Sequence, residues 1–191
     1  MTVFSNRYVI RIPNDILVFY CEKRQNLLIK KDSDYKILEL KTKIFISKKN
    51  RVIGVTGVPF LKTTNSFKKT LKSVQGTITA LIKQSFLDLF SENYKKLKLV
   101  GVGYKVFLVE LKKDKFLHFK LGHSHSVYFK IPSSVSLKPY QSTKIFISGR
   151  CLSEVSQVAS LIRSCKVTEP YKGKGISYHD EIINLKEGKK V

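Results

Sequence analysis

The sequence predicts an α+β fold of two similar domains, each an antiparallel sheet covered by one amphipathic helix, followed by a C-terminal tail. Three observations predict it. The hexapeptide Thr42-Lys43-Ile44-Phe45-Ile46-Ser47 recurs letter for letter as Thr143-Lys144-Ile145-Phe146-Ile147-Ser148, the kind of internal similarity that signals a repeated unit. Short strand-like runs precede both copies. A helical pattern follows both. A sheet with one apolar face and one covering helix is a standard two-layer solution. The implied boundaries are residues 1–94, 95–166 and a tail over 167–191. A single undivided domain is the alternative.

In chain order, the first half offers the runs Ile16–Cys21, Leu27–Lys30 and Tyr35–Leu40, the last two separated by the turn-forming Asp32-Ser33-Asp34. Its helix is marked by Phe67, Leu71, Val74, Ile78, Leu81, Ile82 and Leu89 at steps of three and four. Thr64, Asn65 or Ser66 is placed to cap it. The second half offers Leu99–Leu111, Phe116–Leu121 and Val127–Ile131, punctuated by Lys112-Lys113-Asp114 and Pro132-Ser133-Ser134. Its helix is marked by Val155, Val158, Ala159, Ile162 and Cys165, with Ser153 as the expected cap.

Charge narrows the function classes. The 191 residues carry 36 Lys and Arg against 14 Asp and Glu, a net charge of +22. Residues 1–100 hold +13 of it (20 basic, 7 acidic) and residues 101–191 hold +9 (16 and 7). The charge therefore coats the whole body rather than a detachable tail. Such a body repels itself unless a polyanion neutralises it, and nucleic acid is the commonest polyanion. Only six basic residues are Arg: Arg7, Arg11, Arg24, Arg51, Arg150 and Arg163. Lys is a point charge suited to phosphate rather than to reading bases. Lys, Ile, Phe, Tyr and Asn are also the residues that an AT-rich genome supplies, and such genomes are common in organelles.

Chemistry-bearing motifs are sparse. Cys21, Cys151 and Cys165 have neither CxxC spacing nor an even count, and read as reduced, buried small hydrophobes. His123-Ser124-His125 lacks a third nearby ligand, so a strand-edge or RNA-facing role outweighs a metal pair. Gly101-Val102-Gly103 lies inside a strand run without a third glycine or a following helix, which favours a bulge or close strand packing over a dinucleotide site. No nucleophile has a His and acid beside it, so no catalysis and no cofactor are expected. No apolar stretch is long enough to span a membrane. The first residues form neither a signal core nor an Arg/Ser-rich import segment, so the expectation is a protein that works where it is made or a chain already mature.

The tail carries the densest pattern, Glu169-Pro170-Tyr171-Lys172-Gly173-Lys174-Gly175-Ile176-Ser177-Tyr178. Gly lets backbone approach a phosphate, Lys supplies charge, and Tyr171 and Tyr178 offer rings for stacking. A flexible surface loop is the bland reading of the same residues. The first helix poses a similar choice. Lys68, Lys69 and Lys72 line either a solvated face or a phosphate contact.

This tail, followed by Leu185-Lys186-Glu187-Gly188-Lys189-Lys190, resembles the C-terminal pattern of the L-six family of large-subunit ribosomal proteins, usually PEPYKGKGIRY. Leu99–Lys105 is similar to the family's LVGVGY run, and Leu121–Val127 to its LGYSHPV run, in the same order and spacing. The first hundred residues match in outline only. The resemblance implies a duplicated α+β fold, no enzymatic activity and no cofactor. Its implied partners are large-subunit rRNA near the sarcin–ricin loop and neighbouring ribosomal proteins, with the chain present as a monomer. No membrane role is implied. Tyr171, Lys172, Gly173, Lys174, Gly175 and Tyr178 carry over as rRNA-binding residues, joined by Lys186, Lys189 and Lys190. Ser177 stands where the family usually has Arg, and Thr168 where it usually has Pro. Ser5-Asn6-Arg7-Tyr8 replaces a usual Gly-Lys-Lys-Pro run. With the residue usage, the expected location is a mitochondrial ribosome, with a plastid or bacterial cytoplasm as alternatives. A free nucleic-acid-binding module and a peripheral membrane protein are the competing classes. The second would need an exposed basic amphipathic helix, but here the sheet claims the helix's apolar stripe.

Overall fold

A computed structural model describes residues 8–56, 65–111 and 114–188, without the side chains of 65–68. The chain forms two compact units, Met1–Ser91 and Glu92–Val191. The architecture is α+β with antiparallel sheets throughout.

Unit 1 contains β1 (Val9–Arg11), β2 (Leu17–Cys21), β3 (Asn26–Lys31), β4 (Asp34–Glu39), β5 (Ile44–Ser47), β6 (Val52–Val55) and α1 (Asn65–Phe90). Strands β2, β3 and β4 form a meander, and β1-β6-β5 a second sheet with β6 in the centre. Alternation along the strands sends every second residue inward. Leu27, Ile29, Ile44, Ile53 and Val55 are thereby buried beneath Ile78, Ile82 and Phe86 of α1. The helix stripe thus runs at i, i+4, i+8. Leu81, expected on it, is 48% exposed, and Phe86 takes the core position instead. Of the expected caps, Thr64 lies outside the described residues. Asp88, almost fully buried, accepts from Lys36 Nζ at 2.6 Å and Gln84 Nε2 at 2.8 Å, which compensates the cost of burying its charge.

Unit 2 contains β7 (Asn93–Val100), β8 (Lys105–Leu111), β9 (Asp114–Lys120), β10 (Val127–Lys130), β11 (Val135–Gln141), β12 (Lys144–Gly149), α2 (Leu152–Ser164) and β13 (Gly175–Tyr178). The order β11-β12-β7-β13 makes one sheet and β10-β9-β8 a second. Helix α2 packs on β7, β12 and β13, bringing Val155, Val158, Ala159 and Ile162 onto Leu97, Ile145, Ile147 and Ile176.

The two units share a connection pattern. In each, the first strand pairs with the strand that leads to the helix, that strand pairs with the one before it, and the intervening three form a meander. The hexapeptide repeat, however, does not fall on matching strands. Its first copy lies on the edge strand β5, whereas its second lies on the central β12 that enters α2 directly. The fold is doubled, but the matching letters are not the trace of that doubling.

Three local expectations are corrected. The run Leu99–Leu111 is two strands, because Gly101–Tyr104 turns the chain and the Tyr104 ring covers Gly101 too closely for any Cβ there. Helix α2 is capped not by Ser153 but by extended Cys151, whose side chain makes no capping bond. None of the three cysteines is in a disulfide, yet Cys21 is exposed and Cys151 and Cys165 are half-buried. Burial pushes the Cys165 thiol up from its ordinary value. No helix among the described residues is long and apolar enough to cross a membrane.

Ile147 is fully buried between the sheet and α2. Ile147→Ala is expected to destabilise unit 2 by about 2–5 kcal/mol, whereas exposed Lys138→Ala should stay within about 0.5 kcal/mol. Urea denaturation of each variant checks both.

Candidate nucleic-acid interface

Tyr171, Lys172, Gly173, Lys174, Gly175 and Tyr178 come together as one loop and the strand that follows it. The loop closes on itself. Gly173 N donates to Glu169 O at 2.9 Å, and Glu169 N donates to Lys174 O at 2.9 Å. Lys186 N donates to Pro170 O at 2.9 Å and ties the C-terminal stretch to the loop. Beyond it, β13 pairs antiparallel with β7, Ile176 opposite Leu99 and Ser177 opposite Lys98. Residues 175–178 are therefore the edge strand of the unit 2 sheet. Ile176 N also donates to Lys166 O at 2.8 Å, anchoring the strand to the end of α2.

The glycines serve this architecture. Gly173 has φ +68°, and its N–H is already used inside the loop. At Gly175, with φ +144°, a Cβ would lie 2.7 Å from both Thr168 Cα and Val167 O. Both glycines are buried, so they shape the loop rather than present backbone to a ligand. Its outward groups are the exposed Tyr171 and Lys172 and the half-buried Lys174.

Tyr178 is differently placed from Tyr171. Its ring packs on the unit 2 core, and the Arg163 guanidinium sits over it at 5.3 Å. Arg163 is in turn held by Glu181, whose other carboxylate oxygen accepts from Tyr178 N at 3.1 Å. This ring is a structural anchor. Ser177 is fully buried, its Oγ without a hydrogen-bond partner among the described residues. A short side chain fits where the resembled family usually carries Arg.

The remaining expected residues belong to other segments. Lys69 and Lys72 are exposed on α1 in unit 1, the Lys68 side chain lies outside the description, and Lys189 and Lys190 lie beyond the described residues. Lys186 is exposed beside the loop. His123 and His125 are exposed with their rings stacked at 5.6 Å, and no group of three or more metal-ligating side chains is present among the described residues.

Sequence reasoning from motifs missed a second basic surface. On the face of β11-β12-β7-β13 turned away from α2, strand parity places Tyr94, Lys96, Lys98, Lys138, Lys144 and Phe146. The signal was available as alternation in Tyr94-Lys95-Lys96-Leu97-Lys98-Leu99, where Leu97 and Leu99 point inward. It is faint because Lys95 breaks the pattern.

Comparison with known proteins agrees with the tail motif. A family model described as Ribosomal protein L6 matches residues 100–179. Three relatives bear the name large ribosomal subunit protein uL6. That of Malacoplasma penetrans is 38% identical over 145 residues, covering 76% of this chain and 76% of the relative. That of Chloroherpeton thalassium is 40% identical over 137 residues, covering 72% and 74%. That of Mesoplasma florum is 43% identical over 138 residues, again covering 72% and 74%.

Because a Cβ at position 175 meets backbone rather than a yielding side chain, Gly175→Ala should cost about 1–3 kcal/mol from strain alone. Gly188→Ala, with open space around it, should be near neutral. Thermal unfolding of the two variants checks the contrast.

Proposed function

Because the chain belongs to the ribosomal protein L6 family, we propose that it is a structural constituent of the large ribosomal subunit that binds large-subunit rRNA through the loop 169–178 and catalyses nothing. The observation that supports this most is the loop itself. Its backbone bonds are spent internally, its glycines are buried, and it thrusts Tyr171, Lys172 and Lys174 outward on a strand fixed to β7. A rigid presentation of charge loses little side-chain and loop entropy on binding. Lys172 and Lys174 neutralise phosphates, Tyr171 lies over a ribose or base, and Lys186, Lys189 and Lys190 extend the basic surface. Lys68, Lys69 and Lys72 of α1 form a separate phosphate contact in unit 1.

Within this reading the rRNA target lies near the sarcin–ricin loop and the factor-binding region, as the family resemblance implies. The protein is a monomer among neighbouring ribosomal proteins and needs no cofactor. The AT-rich residue usage favours a mitochondrial ribosome over a plastid or bacterial one. The gene's genome and codon table decide between them.

In a sucrose gradient the protein should travel with the large subunit. A chain confined to the soluble fractions would instead be a free nucleic-acid-binding module. Binding of wild type to a large-subunit rRNA fragment should weaken with salt at a log–log slope of roughly 0.7–0.9 per phosphate neutralised. The Lys172→Ala/Lys174→Ala double variant should bind more weakly and lower that slope by about 1.4–1.8. Unchanged affinity at physiological salt overturns the assignment of the loop.

A further inference from the structure

We propose that the face of the unit 2 sheet opposite α2, over β12 and the start of β7, is a stacking surface for unpaired RNA bases, with Tyr94 and Phe146 as its rings and flanking lysines holding the phosphates. The proposal rests on the RNA-binding reading above and adds a second contact of a different physical kind.

The two rings sit on adjacent central strands, Phe146 on β12 between paired neighbours on both sides and Tyr94 on β7 where it pairs with β12. They stack with centroids 5.6 Å apart and planes 23° from parallel. Tyr94 is 59% exposed. Lys96 Nζ lies 5.5 Å from its ring centre. In register, Phe146 lies directly between Lys96 on β7 and Lys138 on β11. The next row pairs Lys98 with Lys144. A cleft of about 360 Å³ opens beside Phe146, lined by Lys96, Tyr140, Lys144 and His179.

Charge and shape both point to RNA rather than protein. The register positions of this face contain no carboxylate. Acids flank it at its margins: Asp180 and Glu181 share a cleft with Tyr94 and Lys96, and Glu92 and Asp114 share one with Lys138, with Glu181 already held by Arg163 and Asp114 by Lys130. Aromatic rings set among lysines on an open sheet suit bases that are out of a helix, because a ring face accepts any exposed base while phosphates follow the charges. Paired bases have no free face to offer.

Unit 1 provides an internal comparison. On its central strand β6, the residue between buried Ile53 and Val55 is Gly54, flanked by Val9 and Phe45. On β12 the residue between buried Ile145 and Ile147 is Phe146, flanked by lysines. At this equivalent position the common scaffold thus carries a ring between lysines in unit 2 and a glycine in unit 1.

The chain has no Trp, so Tyr94→Trp introduces a single indole reporter in the full chain. A short single-stranded oligoadenylate should quench its fluorescence, and a paired duplex of the same length should quench it far less. Tyr94→Ala should weaken oligoadenylate binding roughly 5- to 100-fold and leave the salt slope unchanged, since stacking releases no counterions. Tyr94→Phe should restore binding. Because Tyr94 is exposed, its loss leaves the core intact. Equal oligoadenylate affinity for Tyr94→Ala and wild type overturns the proposal, as does equal quenching by duplex. A photo-crosslinker at position 94 that joins a protein instead of RNA in the assembled subunit also overturns it. If wild type holds the rRNA fragment with a steep salt slope while Tyr94→Ala matches it throughout, this proposal alone fails. If wild type does not hold the fragment, the reading beneath it fails as well.

Discussion

Strand β7 is hydrogen-bonded along both edges, and both candidate RNA surfaces of unit 2 depend on it. On one side it pairs with β13, which turns residues 175–178 into sheet and gives the preceding loop a fixed base. On the other it pairs with β12, which sets Phe146 against Lys96 and stacks it on Tyr94. Its inward residues Leu97 and Leu99 are buried in the unit 2 core. One strand therefore converts hydrophobic burial on one face into positional order on the other. Loss of that pairing would release the loop, the rings and the lysines together.

The charge imposes the opposite demand. Five ion pairs of the described residues illustrate how the fold uses its charge. Lys36 and Asp88 form a part-buried pair that also satisfies a buried carboxylate, and Arg163 with Glu181 ties β13 to α2. The pairs Lys43–Glu22, Lys115–Glu110 and Lys130–Asp114 are well exposed, where ion pairs contribute little. A net charge of +22 therefore remains as repulsion that two apolar cores must offset. On the proposed function, rRNA phosphates would relieve it. Such a protein should owe part of its working stability to its partner, by mass action on the bound state.

Much of the fold was legible because binary patterning is strong where one face is buried. The helix over 152–164 announces itself through Val155, Val158, Ala159 and Ile162. The meander strands announce themselves through alternation and Asp- or Pro-bearing turns. The failures have physical causes. Strand β6 is four residues long, too short for a period to register. The Gly101–Tyr104 turn is apolar and so reads as strand. Leu81 reads as core because helical spacing fixes an angle but not how wide the covered stripe is. The loop residues were legible by resemblance, yet the part played by the glycines was not. Only the coordinates show Gly175 pressed against the Val167–Thr168 backbone and Tyr178 turned inward.

The hexapeptide repeat marks where sequence likeness and structural likeness part. Its two copies fold as strand because alternation of Ile with a polar or aromatic residue satisfies any half-buried strand. That freedom is why identical letters can occupy an edge strand in one unit and a central strand in the other. The inward residues of the two copies are constrained by their cores. The outward phenylalanine is not, so its surroundings decide its role. Phe45 stands opposite Gly54, while Phe146 lies between two lysines. In a doubled fold, divergence of function is therefore expected first among outward side chains on central strands. There a neighbour can change without cost to the core, while the backbone beneath stays rigid.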